Sequence, residues 1–117
     1  MDISQERLGE IIVVAVAGRL DSATARDFET HLVGTIDQGA KALALDLTGL
    51  EFVSSAGLRI FLLAAKRMKA DGSRFALFGL QSQVATVLEV SGFAKILPIS
   101  ADREAALATL GAASKDA

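Results

Sequence analysis

The chain has 117 residues, 51% of them hydrophobic, with 12 Lys and Arg against 14 Asp and Glu for a formal net charge of −2. That length suits one hydrophobic core, and the charge balance, without a Lys/Arg block, argues against nucleic acid as a partner. Cysteine, tyrosine and tryptophan are absent, which removes disulfides, thiolate catalysis, the common zinc sites and the usual aromatic stacking platforms.

The N-terminus, Met1-Asp2-Ile3-Ser4-Gln5-Glu6, lacks the basic start and apolar block of a secretory signal. The longest apolar runs, Ile11 to Ala17 and Ile60 to Ala65, fall far short of the roughly 20 residues of a membrane helix. A cytoplasmic protein without membrane attachment is expected. A strand over Ile3 to Leu8, turning at Gly9, would pair antiparallel with the next. Ile11 to Ala17 is a β-branched apolar run ending at Gly18, and such a run predicts a strand covered on both faces. Asp21 and Ser22 offer N-cap oxygens for a first helix whose apolar positions Ala25, Phe28, Leu32, Val33 and Ile36 recur at helical spacing until Gly39.

Ala42 to Leu47 predicts a second buried strand, closed by the turn residues Thr48-Gly49. Ala56 to Asp71 predicts the strongest helix, with basic residues in its last turn and Gly72 as a stop. Phe75 to Phe78 predicts a third strand, Ser82 to Ser91 a helix ended by Gly92, Ile96 to Ile99 a short edge strand and Asp102 to Leu110 a terminal helix. Residues 111–117 are expected to fray. Strands alternating with helices give an α/β fold: a mostly parallel, mixed central sheet of about four to five strands with about four helices, in one domain spanning 1–117.

Most sites that carry chemistry fail on residue content. His31 is the only histidine and reads as a surface residue of the first helix. Asp21, Asp27, Asp37 and Asp46 form no recognised calcium loop, so no metal is expected, and GxGxxG, GxxxxGK[ST] and G-x-S-x-G are all absent, so neither is a nucleotide cofactor or hydrolase activity. What remains is the junction from the strand ending at Leu47 into the helix near Ala56, where Ser54 and Ser55 precede a helix N-terminus. Capping alone explains a serine there, at about 1 kcal/mol. Yet open α/β sheets build their sites beyond the carboxyl ends of parallel strands, where Asp21, Asp46 and Ser55 are expected together, and a phosphate on Ser55 would meet the free N–H groups of the helix. Asp21 as a helix cap and Asp46 as a strand-end acceptor remain equally good accounts of those two residues.

Val16-Ala17-Gly18-Arg19-Leu20-Asp21, Leu45-Asp46-Leu47-Thr48-Gly49-Leu50-Glu51-Phe52-Val53 and Ser54-Ser55-Ala56-Gly57-Leu58 together resemble the STAS domain, the sulfate-transporter and anti-sigma-factor-antagonist family, and within it the single-domain bacterial antagonists. The family pattern before the second helix is commonly Asp-Ser-Ser-Gly-Leu. Aligned on Gly57-Leu58, Ser55 takes the phosphorylated position, Ser54 replaces the aspartate and stands as the alternative acceptor, and Ala56 replaces the second serine. The resemblance implies partner switching. The unphosphorylated domain binds an anti-sigma factor with a histidine-kinase-like ATPase fold, which phosphorylates and so dismisses it, and a PPM-type serine phosphatase restores it. On this reading the protein is a kinase substrate and binding module without catalysis of its own, and Asp21 and Asp46 shape the surface around the serine. Leu58, Arg59, Ile60, Phe61 and Leu62 cannot all face the sheet, so exposed apolar surface beside Ser55 is expected as the partner contact, from Ala56, Gly57, Leu58, Arg59, Phe61 and Leu62. The alternative is a STAS-like scaffold subunit of a signalling or lipid-transport complex, never phosphorylated.

Overall fold

The computed structural model describes the backbone of residues 1–115 and the side chains of residues 1–111. Four strands, β1 (Asp2–Leu8), β2 (Ile11–Leu20), β3 (Ala42–Val53) and β4 (Arg74–Phe78), lie side by side in chain order. The β1–β2 hairpin is antiparallel, and the β2–β3 and β3–β4 pairs are parallel. This is the mixed, mostly parallel sheet that the alternating apolar runs predict. Helices α1 (Ala25–Asp37), α2 (Ser55–Ala70) and α3 (Ser82–Ser91) share one face of the sheet, and α4 (Arg103–Lys115) covers the other.

The coverage follows from side-chain size. On the three-helix side, Leu43, Leu45 and Leu47 of β3 meet Phe28 and Leu32 of α1 and Phe61, Ala64 and Met68 of α2. Phe28 and Phe61 pack edge to face, with centroids 5.9 Å apart. On the α4 side, the small residues Ala42, Ala44 and Ala76 let Ala106 and Leu110 approach closely. His31 joins α1 to the hairpin through a 2.9 Å contact between its Nε2 and Gln5 Oε1.

Several expected boundaries move, each for a local reason. β2 runs through Gly18 to Leu20, and β3 runs through Thr48-Gly49 to Val53. Between the pairs Ala15–Asp46 and Leu20–Val53, β3 carries two more residues than β2, taken up in two register shifts. Each is a bulge that rotates the side chains after it, so Leu47, Leu50 and Val53, spaced by three, all stay buried on the same side. At Gly49 a Cβ would stand 2.8 Å from the Ala17 Cβ, so the strands close up there because glycine leaves the room. Beyond Asp46 no residue of β4 pairs with β3. Side chains entering α3 cover that edge instead: Gln81 Nε2 donates to the Thr48 carbonyl at 2.8 Å and Gln83 Nε2 to the Glu51 carbonyl at 3.3 Å.

The expected edge strand Ile96–Ile99 shrinks to one bridge between Leu77 and Ile99. Pro98 has no N–H for a ladder, and only its carbonyl engages β4, accepting from Leu77 N at 2.9 Å. α1 begins at Ala25 rather than just after Asp21 or Ser22, because residues 21–24 form a turn of their own. α4 extends past the expected end at Leu110 to Lys115; of the tail expected to fray, residues 116–117 lie outside the described residues.

Candidate functional site

α2 starts where β2 and β3 end. Leu20 and Val53 are the last paired residues of the two strands, and the Leu20 carbonyl accepts from Ser54 N at 2.8 Å. The first turn of α2 sits directly on these strand ends. A Cβ at Gly57 would fall 2.7 Å from Leu20 Cγ and 2.8 Å from Val53 Cγ2, so Gly57 is what lets the helix seat this deeply.

The two serines divide the work. Ser54, in extended conformation, is the N-cap, and its Oγ accepts from Gly57 N at 3.5 Å. Ser55 is the first helical residue, is exposed, and makes no side-chain hydrogen bond among the described residues. Capping therefore belongs to Ser54 and not to Ser55. Because the capping bond is long, Ser54→Ala is expected to cost only about 0.5–1 kcal/mol, near the low end of cap substitutions, as read from the midpoint shift in urea denaturation.

Asp21 comes directly after Leu20 and lies beside this junction. Its Oδ1 accepts from Ala23 N at 3.0 Å and Thr24 N at 3.3 Å, so it caps the turn before α1, while its Oδ2 stands 3.9 Å from Arg19 Nε. The Arg19 guanidinium lies 4.2 Å above the Phe52 ring, a cation–π stack, and Arg19 and Phe52 are paired across β2 and β3. Phe52 is 36% exposed, as is Leu63 on α2. Arg59, also exposed, stands four residues after Ser55 and so on the same face of the helix.

Asp46 does not join this group. β3 runs on for seven residues beyond it, opposite the five steps of β2 from Ala15 to Leu20, a span of about 17 Å at strand rise. The Asp46 side chain faces α4: its Oδ1 accepts from Thr48 N at 3.0 Å and Thr48 Oγ1 at 2.7 Å, and its Oδ2 lies 4.0 Å from Arg103 NH1. Arg103 also pairs with Glu6 of β1. Asp46 is a structural tie between the sheet and α4.

Of the expected contact residues, Gly57, Leu58 and Phe61 are buried in the core and present nothing to a partner. Ala56 and Leu62 are half-buried and Arg59 is exposed. Exposed apolar side chains exist, but they are Phe52, under Arg19 at the strand ends, and Leu63, eight residues and about 12 Å along α2 from Ser55. Sequence reasoning missed these three. Arg19 and Phe52 lie within the Gly18-Arg19-Leu20-Asp21 and Glu51-Phe52-Val53 blocks, yet only the bulge that turns Phe52 outward brings them together.

Comparison with known proteins gives one family. The STAS domain matches residues 2–106. The Bordetella bronchiseptica protein BtrV, named as an anti-sigma factor antagonist, is 35% identical over 108 residues, covering 92% of this chain and 93% of its own. An anti-sigma-B factor antagonist of Listeria monocytogenes is 32% identical over 96 residues, with 81% and 83% covered. In fold, the chain is similar to the crystal structure of an anti-sigma factor antagonist from Thermotoga maritima, with a TM-score of 0.87 at 18% identity over 92% of this chain and 93% of that one.

Proposed function

The chain belongs to the STAS domain family, and on that premise we propose that it is an anti-sigma factor antagonist working by partner switching, with Ser55 as the switch. The observation that carries this reading is the division between the two serines. Ser54 holds the helix, so the Ser55 hydroxyl is left exposed and unengaged at the end of the sheet. In the unmodified protein Ser55 and Arg59 on α2, with the Arg19–Phe52 stack at the ends of β2 and β3, dock an anti-sigma factor. Asp21, held by its own turn, sets the acidic margin of that surface, and no helix of the described residues is long and apolar enough to cross a membrane.

The partner is an anti-sigma factor with a histidine-kinase-like ATPase fold that is also a serine kinase. It transfers the γ-phosphoryl group of ATP to Ser55 Oγ, the hydroxyl proton goes to a base of the kinase, and ADP leaves. A PPM-type phosphatase hydrolyses the ester and returns the binding form. The antagonist is substrate and ligand in this cycle, a cytoplasmic single-domain protein that contributes no catalytic group. A phosphoryl group adds about −1.5 to −2 charge at neutral pH. At the first position of α2 it meets unpaired backbone N–H groups and the positive end of the helix dipole, with Arg59 one turn away, so the fold tolerates it. A docking partner would have to desolvate it.

Incubation with the cognate serine kinase and ATP should place one phosphate on Ser55 by mass spectrometry, and Ser55→Ala should accept none. Phosphate found on Ser54 instead, or unchanged incorporation in Ser55→Ala, would sink the assignment. A wild-type chain that binds its partner but is never modified would point to the scaffold role.

A further inference from the structure

At the far end of α2 from Ser55 lies an open cavity of about 810 Å³ between the last turns of that helix, the start of β4 and the 3-10 turn Phe93–Lys95 with the segment after it. We propose that this groove binds a single-chain anionic amphiphile, a long-chain carboxylate, with its hydrocarbon on the groove floor and its head group among three lysines. The inference is independent of the partner switch: Lys69 lies fourteen residues after Ser55, about 21 Å along the helix.

The floor is apolar. Leu62 and Ala65 of α2, Phe75 of β4 and Leu97 form it, and the volume falls within the roughly 300–1,000 Å³ of small-ligand sites. The rim is cationic. Lys66 and Lys69 come from one face of α2 and Lys95 from the opposite wall, and no acidic residue among those described lines the cavity. None of the three lysines has an ion pair or side-chain hydrogen bond among the described residues, whereas Arg19, Arg67 and Arg103 each face a carboxylate. Three unpaired cations around one apolar cleft, on a chain of net charge −2, are the complement of an anion with an apolar tail.

The helix dipole gives Lys66 and Lys69 a reason to stand in the last turns of α2, but it does not reach Lys95 on a separate element. Nor does it explain Ile96, which stands 58% exposed at the rim where a hydrocarbon tail would cover it. The cleft is concave and bounded on opposite sides by α2 and the 3-10 turn, which suits one chain end-on more than a flat bilayer.

The test is a titration of sodium dodecanoate, kept below its micelle concentration, into 15N-labelled protein followed by amide shifts. Saturable shifts are expected at Leu62, Lys69, Phe75, Lys95 and Leu97, with Phe52 and Ser55 unmoved. The exposed double substitution Lys66→Glu/Lys95→Glu should weaken binding at least tenfold without moving the thermal midpoint, and dodecyltrimethylammonium should not shift the groove amides. Non-saturating shifts, or equal affinity in the charge-reversed protein, would overturn the proposal. So would a silent dodecanoate titration, including one in which an acidic amphipathic peptide shifts these same amides, which would make the groove a protein contact.

Discussion

Phe61→Ala is expected to destabilise the protein by about 3–5 kcal/mol, the range for emptying an aromatic side chain from a packed core. Phe61 is 0% exposed and packs edge to face on Phe28 at the α1–α2 contact. It belongs to a core cluster that joins α1, α2 and β3 through Leu32, Ala64, Met68 and Leu45, so closing the gap would need several elements to move. For a domain of this size the loss corresponds to a fall of roughly 10–20 °C in thermal midpoint, measurable by circular dichroism. The same substitution separates two roles for the helix. If Phe61 touched the partner, affinity would fall with little loss of stability. A stable Phe61→Ala protein that no longer binds would contradict the buried position.

Ser55 should behave in the opposite way. Its phosphorylation is expected to lower affinity for the anti-sigma factor about a hundredfold, which requires only about 2.7 kcal/mol of differential binding, and Ser55→Asp, carrying about half the charge, by roughly tenfold. Stability should hold or rise, because a negative charge in the first turn of a helix gains about 0.3–1 kcal/mol from the dipole. The free hydroxyl of Ser55 has no hydrogen bond to lose. Calorimetric titration of the partner with each form, beside a thermal melt, decides the matter. Phosphorylated protein that binds as tightly as the unmodified form would leave Ser55 as an ordinary surface residue and favour a scaffold role. The cause of the loss is narrower than the sequence suggests. With Asp46 directed at α4, a phosphoryl group on Ser55 is not set between two carboxylates, so desolvation of the phosphate at the interface carries more of the effect and repulsion from Asp21 less.

The alternation of apolar strands with amphipathic helices made the α/β class, the hairpin and all four helices legible in the sequence. The serine junction was legible for the same reason: a strand, a short polar step and a strong helix must put those residues at the sheet's end. The contact surface was not. Leu58 and Phe61 look available on a helix read by itself, and only the seating of α2 on Leu20 and Val53, allowed by Gly57, shows that they turn inward. Asp46 was misplaced because Thr48-Gly49 resembles a turn. The three-residue spacing of Leu47, Leu50 and Val53 does not fit a regular strand, and two bulges are what let a strand satisfy it.

That doubled irregularity in β3 decides how the stretch between Asp46 and Ser54 responds to a change in length. Side chains on a strand alternate in direction at every residue. Removing the surplus residue of the second bulge, Glu51, would leave Leu50, Phe52 and Val53 alternating as in a regular strand on the same β2 partners, whereas losing a residue with both bulges kept would turn Phe52 toward the interior and carry the Ser54–Leu20 bond out of reach. The spacing of this segment acts as a ruler, with the helix that bears Ser55 mounted at its end.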